Sequence, residues 1–505
     1  MERSPSVSRV VVIGAGIGGM CAAARLAKLG HKVELFESSD QVGGKCRTEW
    51  IGNTGFDTGP SLMTLPAVYR DFFLKTGAPM EDVVTLEPVN PSFDYRFADG
   101  SNVKFANLSR LDTLSAITKN FGSSAADDWA KLMTRASSMW DASRKSFIES
   151  ELTSLSALLK KPTVLRDIST IAPWRSLRSL VTSTTSDRRL QYIADRYATY
   201  SGSDPRKAPA VLLSIAYIEE VFGAWHIAGG MGQLAKAIYL RALETGVTFH
   251  LNSKVHKILH DDLQVTGIEL LGGDGVNADF VIANADASQV YSQLITDNLR
   301  VLKRPRKLLK KAKPSVAGFS LMLGMKRDSM YEQLAHHTIL FPKNYDDEFE
   351  SIFARNQPAV DPCIYICAPN DPRMNGDKEI EGWTVLVNTP RHSKDGNGWD
   401  WSDKNFVTEY AGNIIDRIEA RGIVIRDRLE FSEIRTPADL EAKVLAPGGS
   451  IYGTSSNGAR AAFLRARNRS PLNGLFCVGG SAHPGGGLPL VAISAEIVSK
   501  LIGKA

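Results

Sequence analysis

Residues 14–19, Gly-Ala-Gly-Ile-Gly-Gly, constrain this chain more than any other stretch. They follow an apolar run at 10–13 and open a run of small and apolar residues that continues to about position 29. A second apolar run at 32–36 then ends at Glu37. This order predicts a β-turn-α-β unit of about thirty residues. Each glycine has its own task there. Gly14 permits the tight turn, Gly16 leaves room for a pyrophosphate to approach the backbone, and Gly19 lets the helix pack closely on the strand. The helix N-terminus adds free N–H groups and the positive end of a dipole. Glu37, 18 residues after Gly19, is spaced to accept hydrogen bonds from both ribose hydroxyls. The same acid repels a 2′-phosphate, which disfavours NADP.

The chain has 505 residues, too many for one core, so two or three domains are expected. It is 43% apolar and 23% charged, and its net charge of +5 is modest. A dedicated nucleic-acid binder carries a stronger basic excess, so no nucleic-acid partner is expected. Five scattered cysteines, an odd number, read as reduced thiols in a cytoplasmic setting. The first strand begins so early that a signal peptide is not expected before it. The apolar stretch 10–26 is interrupted by four glycines and Arg25, and nothing else approaches the roughly 20 residues of a membrane span. Any membrane contact would be at the surface.

A second station follows at once: Gly43-Gly44-Lys45-Cys46-Arg47, then Gly55-Phe56-Asp57-Thr58-Gly59-Pro60. This Gly-Gly-x-x-Arg run resembles the second cofactor signature of the amine-oxidase and carotenoid-desaturase superfamily. The resemblance implies FAD rather than NAD, with Gly44, Lys45 and Arg47 beside the pyrophosphate and flavin, and Gly59 and Pro60 in the loop that follows. Further on, Gly229-Gly230-Met231-Gly232 opens a helical stretch at 234–244 that Gly246 ends. Strands are predicted at 248–251, 254–259, 264–271 and 279–283, with 272–275 as a turn between two of them. The resemblance implies that the 229–232 glycines touch the flavin and that the strand near Val255 pairs with the adenine edge.

At the C-terminus an apolar strand at 475–478 runs into Gly479-Gly480-Ser481-Ala482-His483-Pro484-Gly485-Gly486-Gly487-Leu488-Pro489, and a helix is predicted from about 490 to 502. Pro489 suits a first helical position, where its missing N–H has no partner. The helix N-terminus is a natural neighbour for the flavin edge on which negative charge builds during reduction. Gly480, Gly486 and Pro489 are therefore assigned to the cofactor. His483 has two readings: an acid or base beside the flavin, or a brace for the glycine-rich loop.

Together these stations resemble bacterial phytoene and carotenoid desaturases over essentially the whole chain. The likeness extends to Phe56-Asp57-Thr58-Gly59-Pro60-Ser61, to Ala208-Pro209-Ala210 with residues 221–231, to His336-His337 and to Asp361-Pro362. The 483–487 loop is closest to the subgroup acting on modified or partly desaturated carotenoids. The implied fold is α/β: a Rossmann-type FAD-binding domain with an interleaved α+β substrate domain and a helical, membrane-contacting region. The FAD-binding parts fall at 1–100, 221–299 and 441–505. The helical substrate or membrane region falls at 101–220, and the rest of the substrate domain at 300–440. The implied reaction removes two hydrogens from adjacent saturated carbons flanking a hydrophobic polyene, one as hydride to flavin N5 and one as a proton to a base or water. No second GxGxxG is present for a nicotinamide nucleotide, so a quinone or oxygen is the implied electron acceptor. A carotenoid isomerase, ketolase or 3,4-desaturase would keep nearly every motif, and a flavin amine oxidase shares the N-terminal stations.

Between the stations, residues 158–190 mix Leu, Ile and Trp with seven basic residues (Lys160, Lys161, Arg166, Arg175, Arg178, Arg188 and Arg189) against Asp167 and Asp187. Such a stretch suits either an anionic lipid interface or a solvated helical face. Residues 300–313 carry eight basic residues and no acid, read as a solvent-facing helix. No metal is expected. Cys363 and Cys367 lack a CxxC. His336 and His337 are adjacent and should point apart, with no acid or histidine at ligand spacing.

Overall fold

Two sheets organise the protein, one parallel and one largely antiparallel. The structure, a computed structural model, describes residues 7–152, 164–261, 263–459 and 461–505. Lys160 and Lys161 lie outside the described residues. The first sheet has five parallel strands in the order Leu475–Cys477, Phe280–Ala283, Arg9–Ile13, Lys32–Phe36 and Thr248–His250. Its strands come from three separate stretches of chain. Consecutive residues of the central strand face opposite ways. Val10 and Val12 enter a core with the helices Ile17–Lys28, Gly232–Glu244 and Leu488–Ile502, while Val11 and Ile13 enter another with Val255, Ile258, Val265 and Ile268. A parallel sheet is covered on both faces, so its strands read as unbroken apolar runs.

The second core's partner is an antiparallel meander, Val255–Asp261, Gln264–Leu270 and Gly275–Asn277. The last strand begins at the end of the 272–275 turn, where glycine-rich sequence carries no strand pattern. Two helices also start two residues earlier than their apolar patterns, at Gly232 and Leu488.

The second sheet has seven strands in the order Leu429–Arg435, Ala317–Lys326, Ile380–Thr389, Ile364–Cys367, His337–Leu340, Phe93–Arg96 and Asn102–Phe105. The strand Phe93–Arg96, inside the 1–100 stretch, pairs in parallel with His337–Leu340 and so belongs to this sheet. One core of the sheet packs residues of the helix Lys404–Glu419. Another packs the helices Ser123–Ser143, Leu177–Thr182, Arg188–Thr199 and Ser214–Phe222. The basic run forms the helix Lys303–Lys311 with no buried residue, as the sequence predicts. Among the described residues, no helix is long and apolar enough to cross a membrane.

Candidate functional site

The first glycine loop stands at the C-terminal ends of the parallel strands, where open α/β sheets bind ligands. Gly14 has φ +95°, and its N–H donates to the Phe36 carbonyl at 2.8 Å. A Cβ on Gly19 would lie 2.2 Å from the Gly14 carbonyl oxygen, so helix and turn meet only because Gly19 has no side chain. Gly16 caps the helix without a side-chain hydrogen bond, leaving the first-turn N–H groups aimed at the loop. The Asn284 amide donates to the Gly14 carbonyl at 3.3 Å, and a Cβ on Gly16, Gly18 or Gly479 would lie within 2.9 Å of its side chain. Sequence reading missed Asn284. Its signal is a polar residue one position past the strand Phe280–Ala283.

Glu37 closes the loop from the side. Its carboxylate accepts from Ala15 N at 2.7 Å and from Ser39 N at 2.9 Å. Its own carbonyl accepts from Ser253 N at 2.7 Å, which brings the start of the Val255 strand beside it. The second station abuts the first. Gly43 N donates to the Ala15 carbonyl at 2.8 Å, and a Cβ on Gly44 would lie 3.2 Å from Gly16 Cα. A Cβ on Gly59 would lie 1.7 Å from the Lys45 carbonyl oxygen, so the loop carrying Pro60 rests directly on this station.

Three cations line this region. The Lys45 ammonium donates to the Ser450 and Ile451 carbonyls at 2.7 and 2.8 Å. Burial lowers its pKa to about 8, opposed by Asp286. Arg465 donates to the Gly480 carbonyl at 2.6 Å and to Thr454 O at 2.7 Å, and burial lowers its pKa to about 10, again opposed by Asp286. Arg47 is 8% exposed; one of its amino groups donates to Gln41 O, while its Nε is buried without a partner. Desolvated cations beside a side-chain-free cradle, with an unfilled donor among them, suit a diphosphate. The donor set fits FAD: Glu37 for the ribose, and the glycine cradle with Lys45, Arg47 and Arg465 for the anionic part. Arg465 and Asp286 also escaped sequence reading, because loops far from any glycine motif carry them.

The C-terminal loop completes the rim. A Cβ on Gly486 would meet Tyr452 Cδ1 at 2.8 Å. Gly487 caps the helix Leu488–Ile502, which puts Pro489 second in the helix rather than first. The second N–H of a helix also has no internal acceptor, so proline is tolerated there for the same reason. The His483 ring is buried; its Nε2 lies 3.0 Å from the Ser150 carbonyl, and it packs edge-on against Phe147. The His483 carbonyl accepts from Asn468 and Ser494, each at 2.8 Å. Burial lowers its pKa to about 4, opposed by the Ser150 and Phe147 carbonyls.

Facing the Gly59–Ser61 loop, the seven-stranded sheet presents a buried polar cluster. Ser61 Oγ lies 2.6 Å from Tyr365 Oη, which lies 2.7 Å from His337 Nδ1. His226 Nε2 pairs with Asp371 at 3.0 Å. Burial pushes the Asp371 pKa up, but hydrogen bonds from Gly229, His226 and Arg373 outweigh it and hold the carboxyl below its usual range. The expectation that His336 and His337 point apart without partners is overturned. Their ring centroids are 4.3 Å apart, His226 is 4.9 Å from His336, and ligand atoms of His336, His337 and Cys367 lie within 4.8 Å of one another. His336 lies one residue before the strand that begins at His337, where the regular strand alternation does not yet separate neighbouring side chains. Of the five basic side chains weighed for lipid contact and described here, Arg166 is exposed, Arg178 is taken up by Asp195 and Asp346, and Arg189 by Asp187. Arg175 donates to Ser179 O and Ser183 Oγ beside Trp174, which is 66% exposed. Arg188 stacks on Tyr192.

A parallel sheet with a glycine cradle, a ribose-side acid and a cation-lined second station defines a dinucleotide-dependent oxidoreductase. The chain belongs to the flavin-containing amine oxidoreductase family, whose model matches residues 17–326. It is 31% identical to the 1-hydroxycarotenoid 3,4-desaturase of Flavobacterium sp. (strain P99-3), over 98% of this chain and 99% of that one. It is 30% identical to the 4,4'-diapolycopene oxygenase of Methylomonas sp., over 97% of each chain. It is 30% identical to the zeta-carotene-forming phytoene desaturase of Myxococcus xanthus, over 99% of this chain and 95% of that one. Among solved structures, wild-type putrescine oxidase bound to putrescine shares the fold with a TM-score of 0.65 at 14% identity, covering 98% of each chain. An oxidoreductase from Methanosarcina mazei shares it with a TM-score of 0.65 at 18% identity, covering 97% of this chain and 100% of that one. The protein is an FAD-dependent oxidoreductase.

Proposed function

We propose that the protein is a carotenoid desaturase that introduces C=C bonds into a long hydrophobic polyene during carotenoid biosynthesis. The observation that carries this reading is the end-to-end likeness to carotenoid-named enzymes, which spans the substrate region as well as the cofactor region. Bound FAD supplies the two-electron acceptor. The chain's own groups do the rest. Gly14, Gly16, Gly19, Glu37, Gly44, Lys45, Arg47 and Val255 hold the nucleotide end. Gly59, Pro60, Gly480, Gly486 and the helix that carries Pro489 frame the ring end. That helix directs its positive end toward the edge where charge develops. His483, held by Ser150, acts as a positioning residue for the loop.

In this reading the cofactor parts are 1–100, 221–299 and 441–505, apart from the strand Phe93–Arg96, and the substrate parts are 101–220 and 300–440. The electron acceptor is a quinone or oxygen, and the enzyme works on the cytoplasmic face of a membrane, with exposed Trp174 beside Arg175 supporting a surface contact. The oxygenase among the relatives favours one second reading, oxygen insertion at a polyene end on the same scaffold. Expression in a cell that accumulates phytoene or lycopene tests both. Chromatography and absorption spectra should reveal a lengthened chromophore, product masses that gain oxygen would favour the second reading, and unchanged pigments would refute both.

A further inference from the structure

The strands His337–Leu340 and Ile364–Cys367 pair antiparallel, with His337 directly opposite Cys367. Residues opposite each other on such strands send their side chains to the same face. His336 joins them from one residue before its strand, and its carbonyl accepts from Ala368 N at 2.9 Å. One ring nitrogen of each histidine and the Cys367 sulfur lie within 4.8 Å of one another. His336 Nδ1 stands 3.8 Å from Cys367 Sγ. A weak thiol hydrogen bond is the most that this contact gives. The same spacing suits two ligands of one ion: zinc bonds of about 2.0–2.3 Å place neighbouring nitrogen and sulfur atoms about 3.5–3.8 Å apart. The unused nitrogens agree. His337 is fully buried, and its Nδ1 lies 2.7 Å from Tyr365 Oη. Among the described residues, its Nε2 and that of His336 are buried without a partner. A desolvated nitrogen left open is a cost that a ligand bond removes. Tyr365, itself 2.6 Å from Ser61 Oγ, is the kind of outer partner that fixes the ring of a metal-bound histidine.

We infer that His336, His337 and Cys367 form a zinc site of two imidazoles and one thiolate, with water in the fourth position. Thiolate and imidazole together select zinc over the oxygen-seeking ions magnesium and calcium. As zinc binds, the Cys367 thiol gives up its proton to water and a sulfur lone pair forms the Zn–S bond. The site then carries one net positive charge. The Asp371 carboxylate, close enough to act on His336, offsets it. The inference is independent of the desaturase reading, because it rests only on the polar cluster of the seven-stranded sheet.

The test uses the full-length, FAD-loaded protein, equilibrated with zinc chloride and then passed through gel filtration. Metal analysis should find about one zinc per chain, and X-ray absorption at the zinc edge should show one sulfur at about 2.3 Å beside nitrogen or oxygen ligands. His336 is only partly buried, so His336→Gln should fold and keep its flavin. Its zinc affinity should fall by more than the roughly 10–100-fold that loss of an outer partner costs. Cys367→Ser should abolish the sulfur signal. A wild type that leaves the column without zinc overturns the inference. Zinc that His336→Gln binds as tightly as the wild type, or an edge spectrum without sulfur, also overturns it, since each places the ion elsewhere. Should Cys367→Ser fail to fold, the wild-type spectrum and His336→Gln decide. Unchanged pigments in the expression test refute the desaturase reading alone, because none of these readouts depends on turnover.

Discussion

The parallel sheet and the seven-stranded sheet build their sites in opposite ways. Around the parallel sheet the chemistry is made from missing side chains: Gly14, Gly16, Gly19, Gly44 and Gly59 bring backbone to backbone, and a few cations finish the surface. Around the other sheet it is made from large side chains, with His226, His336, His337, Tyr365 and Arg196 crowded together and several polar atoms without partners. The first arrangement grips a ligand of fixed shape through geometry that tolerates no added atom. The second packs large side chains around buried polar atoms, and it should tolerate exchange of one side chain without loss of FAD.

The largest expected effect follows from adding one carbon to the cradle. Gly59→Ala forces a Cβ to 1.7 Å from the Lys45 carbonyl oxygen, so the two cofactor loops must part. The expected outcome is no flavin absorbance after gel filtration and a lower melting temperature, whereas His336→Gln should retain its flavin. Full flavin in Gly59→Ala would remove the contrast. Glu37→Ala comes next. It deletes the carboxylate that ties Ala15 N to Ser39 N, and with it the acceptor for the ribose. One or two charge-assisted bonds correspond to weakening of FAD binding by about 3 kcal/mol. Unchanged flavin retention on dilution would remove Glu37 from the site.

Acid sensitivity sharpens the contrast from the other side. His483 is lowered from 6.5 to about 4 and His336 from 6.5 to about 3, both chiefly by burial. A base with a depressed folded pKa binds its proton more readily in the unfolded chain. The stability it contributes is therefore complete above about pH 6.5 and is lost as pH falls toward the folded value. For His483 the full loss is about 3 kcal/mol by pH 4. Melting temperature measured from pH 7 to pH 4 should fall, and His483→Gln should flatten part of that fall. An identical slope in His483→Gln would show that its imidazole does not titrate as a buried group. Gly486→Val should act more narrowly, because its Cβ meets the Tyr452 ring edge first, at 2.8 Å, with the Tyr452 backbone further off at 3.2 Å. Pigment formation should fall much further than melting temperature, and normal turnover would move the reacting centre away from this loop.

These differences explain what the sequence could reveal. The cradle was legible because its constraints are local: a backbone that must turn, approach a phosphate and pack on a strand needs glycine at fixed intervals, and Glu37 follows at a fixed distance. The strand at 32–36 and the helix after Gly16 follow from the same spacing. The polar cluster was illegible because its members meet only through the fold. Ser61 and Tyr365 stand 304 positions apart, and His226 and Asp371 stand 145 apart. His336 and His337 were misread because strand alternation was applied one residue too early. Asn284 and Arg465 were missed because a single polar residue in a loop carries no spacing to recognise.

The smallest effect concerns the surface at 164–190, where the described side chains divide the basic residues into two kinds. Arg178 binds Asp195 at 2.6 Å and Asp346 at 2.7 Å, and Asp195 is fully buried, so this arginine is structural. Arg175 lies beside the exposed indole of Trp174, and its hydrogen bonds go to Ser179 O and Ser183 Oγ rather than to an acid. An aromatic ring next to an arginine without an acidic partner is the composition of an interfacial anchor. Arg175→Glu should therefore weaken binding to vesicles containing anionic lipid by about 2 kcal/mol, one positive charge lost and one negative charge gained at about 1 kcal/mol each. Trp174→Ala should weaken binding to neutral vesicles as well, since its contribution is apolar burial rather than attraction. Arg178→Glu should instead lower the melting temperature, because it sets a third acid beside Asp195 and Asp346. Co-sedimentation on neutral and anionic vesicles, with melting curves for each variant, separates the three. Unchanged binding by folded Arg175→Glu and Trp174→Ala would return this surface to an ordinary solvated face.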